Sequence, residues 1–147
     1  GREWDRSFPV IAGFNSIIME GLPDKFPNLR WGFVEAGASW IPYSLAQMST
    51  HIRAKRLLER KQTFDLAKDI LRDNRLFVTV DPVDDIEYLL RFGAEDNLMV
   101  GTDYTHSDPS ANLAALDEVR DWANDGKVTE TVVRKILDTN ARTFYGL

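Results

Sequence analysis

The chain has 147 residues with 18 basic against 23 acidic side chains, a formal net charge of −5 and no cysteine. One ordinary core fits that length. An acidic balance argues against nucleic acid and anionic membrane surfaces as partners. The missing thiols remove disulfides, thiolate nucleophiles and cysteine-ligated zinc. No apolar run approaches the ~20 residues of a membrane helix, and Gly1-Arg2-Glu3-Trp4 is not a signal peptide. A soluble, cytoplasmic α/β protein is expected.

Residues 1–7 read as an irregular lead-in. Ile11, Phe14, Ile18 and Leu22 then recur at helical spacing, with Pro23 as the stop. After a turn at Phe26-Pro27-Asn28, residues 29–35 read as a strand and Ala36-Gly37-Ala38-Ser39 as a small-residue loop open to close approach. Ile41-Pro42 opens a long helix with Leu45, Met48 and Ile52 on its apolar stripe. Its second half carries Arg53, Lys55, Arg56, Arg60 and Lys61, most simply a solvated face. A shorter helix from about Phe64 to Arg72 leads to a strand over residues 76–80, which Asp81-Pro82 ends. Asp84 or Asp85 caps the next helix, with Ile86, Leu89 and Leu90 turned inward and Gly93 behind it. Leu98-Met99-Val100 is the third strand. Asp108-Pro109 starts a helix whose buried side is Leu113, Leu116 and Val119, and a last helix spans residues 129–145. Strands alternating with helices predict a parallel sheet with right-handed crossovers.

The three strands finish near Glu35, Asp81 and Asp103. In a parallel sheet these ends share one edge, so the carboxylates are expected to converge. Convergent carboxylates raise one another's pKa unless a cation neutralises them. Asp103 and His106 are ligand types that zinc or manganese accepts. Each residue also has an ordinary role. A strand-end Asp caps a turn as readily as it binds metal, Asp81 before proline suits a turn, and His106 suits a hydrogen-bonded loop histidine. Trp40 and Tyr104 are candidates to line a substrate pocket, although core packing is the commoner fate of aromatics. The chain holds no glycine-rich phosphate loop, no nucleophile elbow, and only two histidines, His51 and His106.

Residues 26–30 (Phe-Pro-Asn-Leu-Arg) leading into residues 33–42 (Phe-Val-Glu-Ala-Gly-Ala-Ser-Trp-Ile-Pro) resemble a segment of the amidohydrolase-2 family. That family comprises metal-dependent hydrolases and decarboxylases similar to aminocarboxymuconate-semialdehyde decarboxylase. Residues 100–108 (Val-Gly-Thr-Asp-Tyr-Thr-His-Ser-Asp) resemble its signature at the last barrel strand, and residues 136–147 its C-terminal helix. The resemblance implies an α/β fold that is the C-terminal part, about three βα units, of a TIM (β/α)8 barrel. Residues 1–147 would then be a single segment, with the N-terminal part of the barrel absent, since a complete barrel takes about 250 residues. It implies a mononuclear divalent metal at the carboxyl rim, zinc first and manganese as alternative, with Asp103 as ligand and proton acceptor. Glu35 and His106 are then expected in supporting catalytic roles, beside Trp40 and Tyr104 as the candidates already named for the substrate pocket. Two positions depart from the pattern: Glu35 stands where many members have histidine, and Thr105 where proline is usual. The family's paired first-strand histidines have no counterpart here, so the competing expectation is a non-catalytic half-barrel or assembly partner. A homodimer through the helix of residues 43–61 is expected.

Overall fold

In the computed structural model, residues 4–59, 66–106 and 111–147 are described, with side chains described for 7–50, 70–106 and 111–147. Three parallel strands, β1 (Trp31–Phe33), β2 (Leu76–Val80) and β3 (Leu98–Val100), form one sheet in the order β1-β2-β3. The register sets Trp31 beside Leu76, Phe33 beside Val78, Val78 beside Leu98 and Val80 beside Val100. Strand side chains alternate between faces. Phe33, Leu76, Val78, Val80 and Leu98 therefore share one face, and all five lie in a single buried cluster. Gly32, Phe77, Thr79 and Met99 fall on the other face.

Helices cover the first face. α1 (Trp4–Met19) and α3 (Ile41–Glu59) meet there, where the Phe14 ring packs edge-on against Phe33 and Trp40 at 5.0 and 4.8 Å. Leu45 and Met48 of α3 are buried as their spacing predicts. α4 (Leu66–Asp73) adds Ile70 and Leu71, and α5 (Ile86–Leu90) adds Ile86 and Leu89. α6 (Ala115–Asn124) contributes Val119 and Trp122. The last helical run consists of α7 (Glu130–Arg134), a π-helical turn over Lys135–Thr139 and α8 (Asn140–Tyr145), with Val132, Val133 and Ile136 in the same cluster. Phe144 of α8 reaches the opposite face, 5.4 Å from the Phe77 ring.

Several expectations need correction. The lead-in is helical from Trp4, and Pro9 stands inside α1 without ending it. That helix ends at Met19 instead of running through Leu22. Gly21, at φ 65°, takes the left-handed conformation that releases the chain, and Pro23 lies within the four-residue α2 (Leu22–Lys25). β1 is three residues long, not seven. α6 begins at Ala115, so its buried side is Ala115, Val119 and Trp122, whereas Leu113 and Leu116 are exposed. Leu113 precedes the helix, and Leu116 lies one residue, about 100°, round from Ala115. The proposed start at Asp108-Pro109 lies outside the described residues, as do Arg60, Lys61 and the side chains of Arg53, Lys55 and Arg56. Among the described residues no helix is long and apolar enough to cross a membrane.

Candidate functional site

The carboxyl ends of the three strands open into the loops that carry the polar residues singled out in the sequence. After β3 the chain turns sharply. Asp103 and Thr105 both adopt left-handed backbone, at φ 49° and 75°, and the His106 amide donates to the Asp103 carbonyl at 3.1 Å. That turn swings the imidazole back over the carboxylate, leaving His106 Nδ1 2.7 Å from Asp103 Oδ2. The Asp103 side chain is 20% exposed and the imidazole 53%. A carboxylate on Nδ1 fixes the ring's orientation. Tyr104 is 74% exposed beside the pair.

After β1, Glu35 is exposed and left-handed at φ 61°. No hydrogen bond or ion pair joins it to Asp103 or His106 among the described residues. β1 and β3 lie on either side of β2, about 10 Å apart at two strand spacings. Asp81 has a turn role, as its proline suggested: its Oδ1 accepts the Val83 amide at 3.1 Å. The expected convergence of Glu35, Asp81 and Asp103 is therefore not seen. Among the described residues no group of three His, Asp or Glu side chains is placed to hold a metal ion. Asp103 and His106 offer one oxygen and one nitrogen donor, whereas zinc takes about four ligands. The described residues do not make a metal centre by themselves.

Trp40 stands in the core rather than on the rim. It is 9% exposed, packs against Phe14 and donates from Nε1 to the Gly37 carbonyl at 2.8 Å. Asp85 caps α5, its carboxylate accepting the Tyr88 amide at 3.0 Å. Asp84, the other residue considered for that cap, instead crosses to the β1 loop. Its carboxylate accepts the Ala38 and Ser39 amides at 2.8 and 3.0 Å, the Ser39 hydroxyl, and the Asp81 amide at 2.8 Å. Sequence alone offered no signal for this contact, because its partners lie 45 and 46 residues away.

At the opposite edge of the sheet the polar contacts are anchoring ones. Buried Asn140 donates from Nδ2 to the carbonyls of Glu95 and Leu98 at 2.9 and 2.7 Å. Lys135 bridges Glu95 and Asp96 at 2.6 and 2.7 Å. Hydrogen bonds to Asp96 and Glu95 hold the ammonium's pKa above its ordinary 10.5, against the lowering effect of partial burial.

The amidohydrolase family model matches residues 9–147. The chain belongs to the amidohydrolase family. Comparison with curated proteins gives no match. Among solved structures, a crystal structure of an amidohydrolase from Mycobacterium avium subsp. paratuberculosis K-10 superposes with a TM-score of 0.62 at 23% identity. The match covers 88% of this amidohydrolase chain and 31% of that one. At that identity the likeness is one of fold, and this chain spans less than a third of the other's length.

Proposed function

We propose that this chain is the C-terminal segment of a TIM-barrel amidohydrolase, contributing about three βα units as one domain. The enzyme would be a metal-dependent hydrolase or non-oxidative decarboxylase acting on a small carboxylate, amide or ester. Support for the barrel comes from three parallel strands in sequence order with helices packed on one face. The short share of the similar structure fits a segment of a larger sheet.

One observation carries the functional reading: the Asp103–His106 pair at the rim end of β3, in a chain of this family. Carboxylate and imidazole at 2.7 Å form a unit that takes up and returns a proton while holding the ring in one orientation. Exposed Glu35 is a second base or hydrogen-bond acceptor for water on the same edge, and Tyr104 offers an apolar ring with a hydroxyl to substrate. A divalent ion, zinc or manganese, would acidify water or polarise a substrate carboxylate. The donors it requires beyond Asp103 would come from outside the described residues, so no step is derived through it.

Metal analysis and kinetics of the full-length protein test the reading. We expect about one divalent ion per chain and, in Asp103→Asn, a loss of at least about a hundredfold in turnover. A metal-free protein whose activity ignores that substitution would refute it. The rival reading, a non-catalytic segment without a metal site, draws on the lack of a three-ligand group among the described residues. It predicts no stoichiometric zinc in the full-length protein. The proposed homodimer through α3 is checked by sedimentation.

A further inference from the structure

Adjacent parallel strands deliver their loops side by side, and at this rim two of those loops share one side chain. The turn Asp81-Pro82-Val83-Asp84 closes through the Asp84 amide on the Asp81 carbonyl at 2.9 Å. Closing it lays the Asp84 carboxylate across the end of β2 and against the loop that follows β1. There it meets four donors: the Ala38, Ser39 and Asp81 amides and the Ser39 hydroxyl. Bonds to a charged acceptor are about twice as strong as neutral ones. A Cβ on Gly37, at φ 57°, would approach the carboxylate to 3.3 Å, so the loop backbone lies directly against it. The other ties within residues 35–41 are local, the Trp40 ring on the Gly37 carbonyl and the Ile41 amide on the Ala38 carbonyl. Among the described residues, Asp84 alone refers this loop by hydrogen bonds to a neighbouring strand.

We propose that Asp84 is a positioning residue, whose carboxylate fixes the loop of residues 35–39 and so sets where Glu35 stands on the rim. Glu35 makes no hydrogen bond of its own among the described residues and sits in left-handed backbone, so its placement derives from the loop. The catalytic consequence rests on the function proposed above; the conformational one does not.

Two measurements on the full-length protein separate them. The first is backbone NMR of Asp84→Asn. A neutral amide keeps one oxygen acceptor for four donors, so residues 35–39 loosen selectively, with order parameters falling below ~0.6 while Asp103 and Thr105 keep theirs. Unchanged order in residues 35–39 would overturn the proposal. The second is a double-mutant cycle with Glu35→Gln, read on p-nitrophenyl acetate hydrolysis. If Asp84 acts through Glu35, each single variant lowers kcat by at least about tenfold with KM nearly constant, and the double variant is no slower than the worse single. Effects that multiply would overturn the proposal. Should the wild type not hydrolyse this ester, it is the ester-hydrolase form of the functional reading that has failed, and the NMR result still decides the placement. If Asp84→Asn does not fold, Ser39→Ala removes the hydroxyl donor alone and speeds amide exchange at Ala38 and Ser39 about fivefold, the weight of one hydrogen bond. Unaltered exchange there counts against the proposal.

Discussion

Truncating Asn140 offers the most direct check on how the sheet is held. The side chain is 3% exposed and spends both amide protons on carbonyls, Glu95 at 2.9 Å and Leu98 at 2.7 Å. Because the Val78 amide bonds Asn97 within the β2–β3 ladder, alternation turns the Leu98 carbonyl to the outer edge of β3. Among the described residues no strand pairs with that edge. Asn140→Ala leaves two acceptors without their donor, at ~1–3 kcal/mol apiece. Better helix propensity returns up to ~0.7 kcal/mol. A loss of about 1–5 kcal/mol follows. Urea denaturation of the full-length protein followed by circular dichroism measures it, with the midpoint falling at constant m-value. Asn140→Asp sharpens the test. It is nearly isosteric but turns a carboxylate toward two carbonyl oxygens, so at neutral pH it should be worse than alanine. Its folded-state pKa is then raised, and its stability recovers as the pH falls and the carboxyl regains a proton to donate. A loss under ~0.5 kcal/mol, or an aspartate milder than alanine, would refute the reasoning.

Gly32→Ala places a Cβ 2.7 Å from Phe144 Cζ, so the ring must move. About 1–3 kcal/mol of overpacking is expected, largely relieved by adding Phe144→Leu, and thermal melts of the four-member cycle decide it. Lys135 has a folded pKa above its ordinary 10.5, so its contribution is complete below that value and is lost as the pH rises through the higher one. Lys135→Gln should therefore lower Tm at pH 8 and matter progressively less in alkaline melts; a gap that does not close above the folded value would refute this. Thr105, a β-branched residue at φ 75°, should give ~1 kcal/mol of stability when replaced by glycine. Thr105→Pro should break the turn, since proline fixes φ near −65°; an unchanged His106 imidazole NMR signal in that variant would count against it.

Where one physical effect dominated, the sequence was readable. Leu76–Val80 is a short apolar run buried at every position but Thr79, and burial alone marks such a strand. Asp85 sits immediately before Ile86, and local capping geometry secures its role. Asp103 and His106, three residues apart, also meet through local backbone. The misses are places where two effects compete or partners are remote. Pro23 carries a stop signal equally suited to a helix start, and Gly21 had already ended α1. Leu113, Leu116 and Val119 have helical spacing, but burial depends on where the helix begins, and the chain settles that by starting at Ala115. The π-helical turn at Lys135–Thr139 leaves no compositional trace. Whether Glu35 meets Asp103 depends on strand order and spacing, which no local pattern encodes. The same is true of the reach of Asp84 to Ala38.

Backbone strain divides the two edges of the sheet. Among the described residues four non-glycine positions are left-handed: Glu35, Arg75, Asp103 and Thr105. Each such conformation costs of order 1 kcal/mol or more. Arg75, at the amino edge, offsets it locally, its guanidinium bonding the Pro23 and Leu29 carbonyls at 2.6 and 3.0 Å. The other three lie beyond the carboxyl ends of β1 and β3. Asp103 gains the contact with His106, but Glu35 and Thr105 gain no side-chain hydrogen bond among the described residues. Stability alone would favour glycine or asparagine at both positions. Strain retained without a local stabilising partner points to a demand other than folding. It falls on the edge that carries Asp103 and His106, and the loop holding Glu35 is the one that Asp84 fastens. The amino edge, tied by Asn140, Lys135 and Arg75, is built for stability; the carboxyl rim holds a geometry that folding by itself does not select.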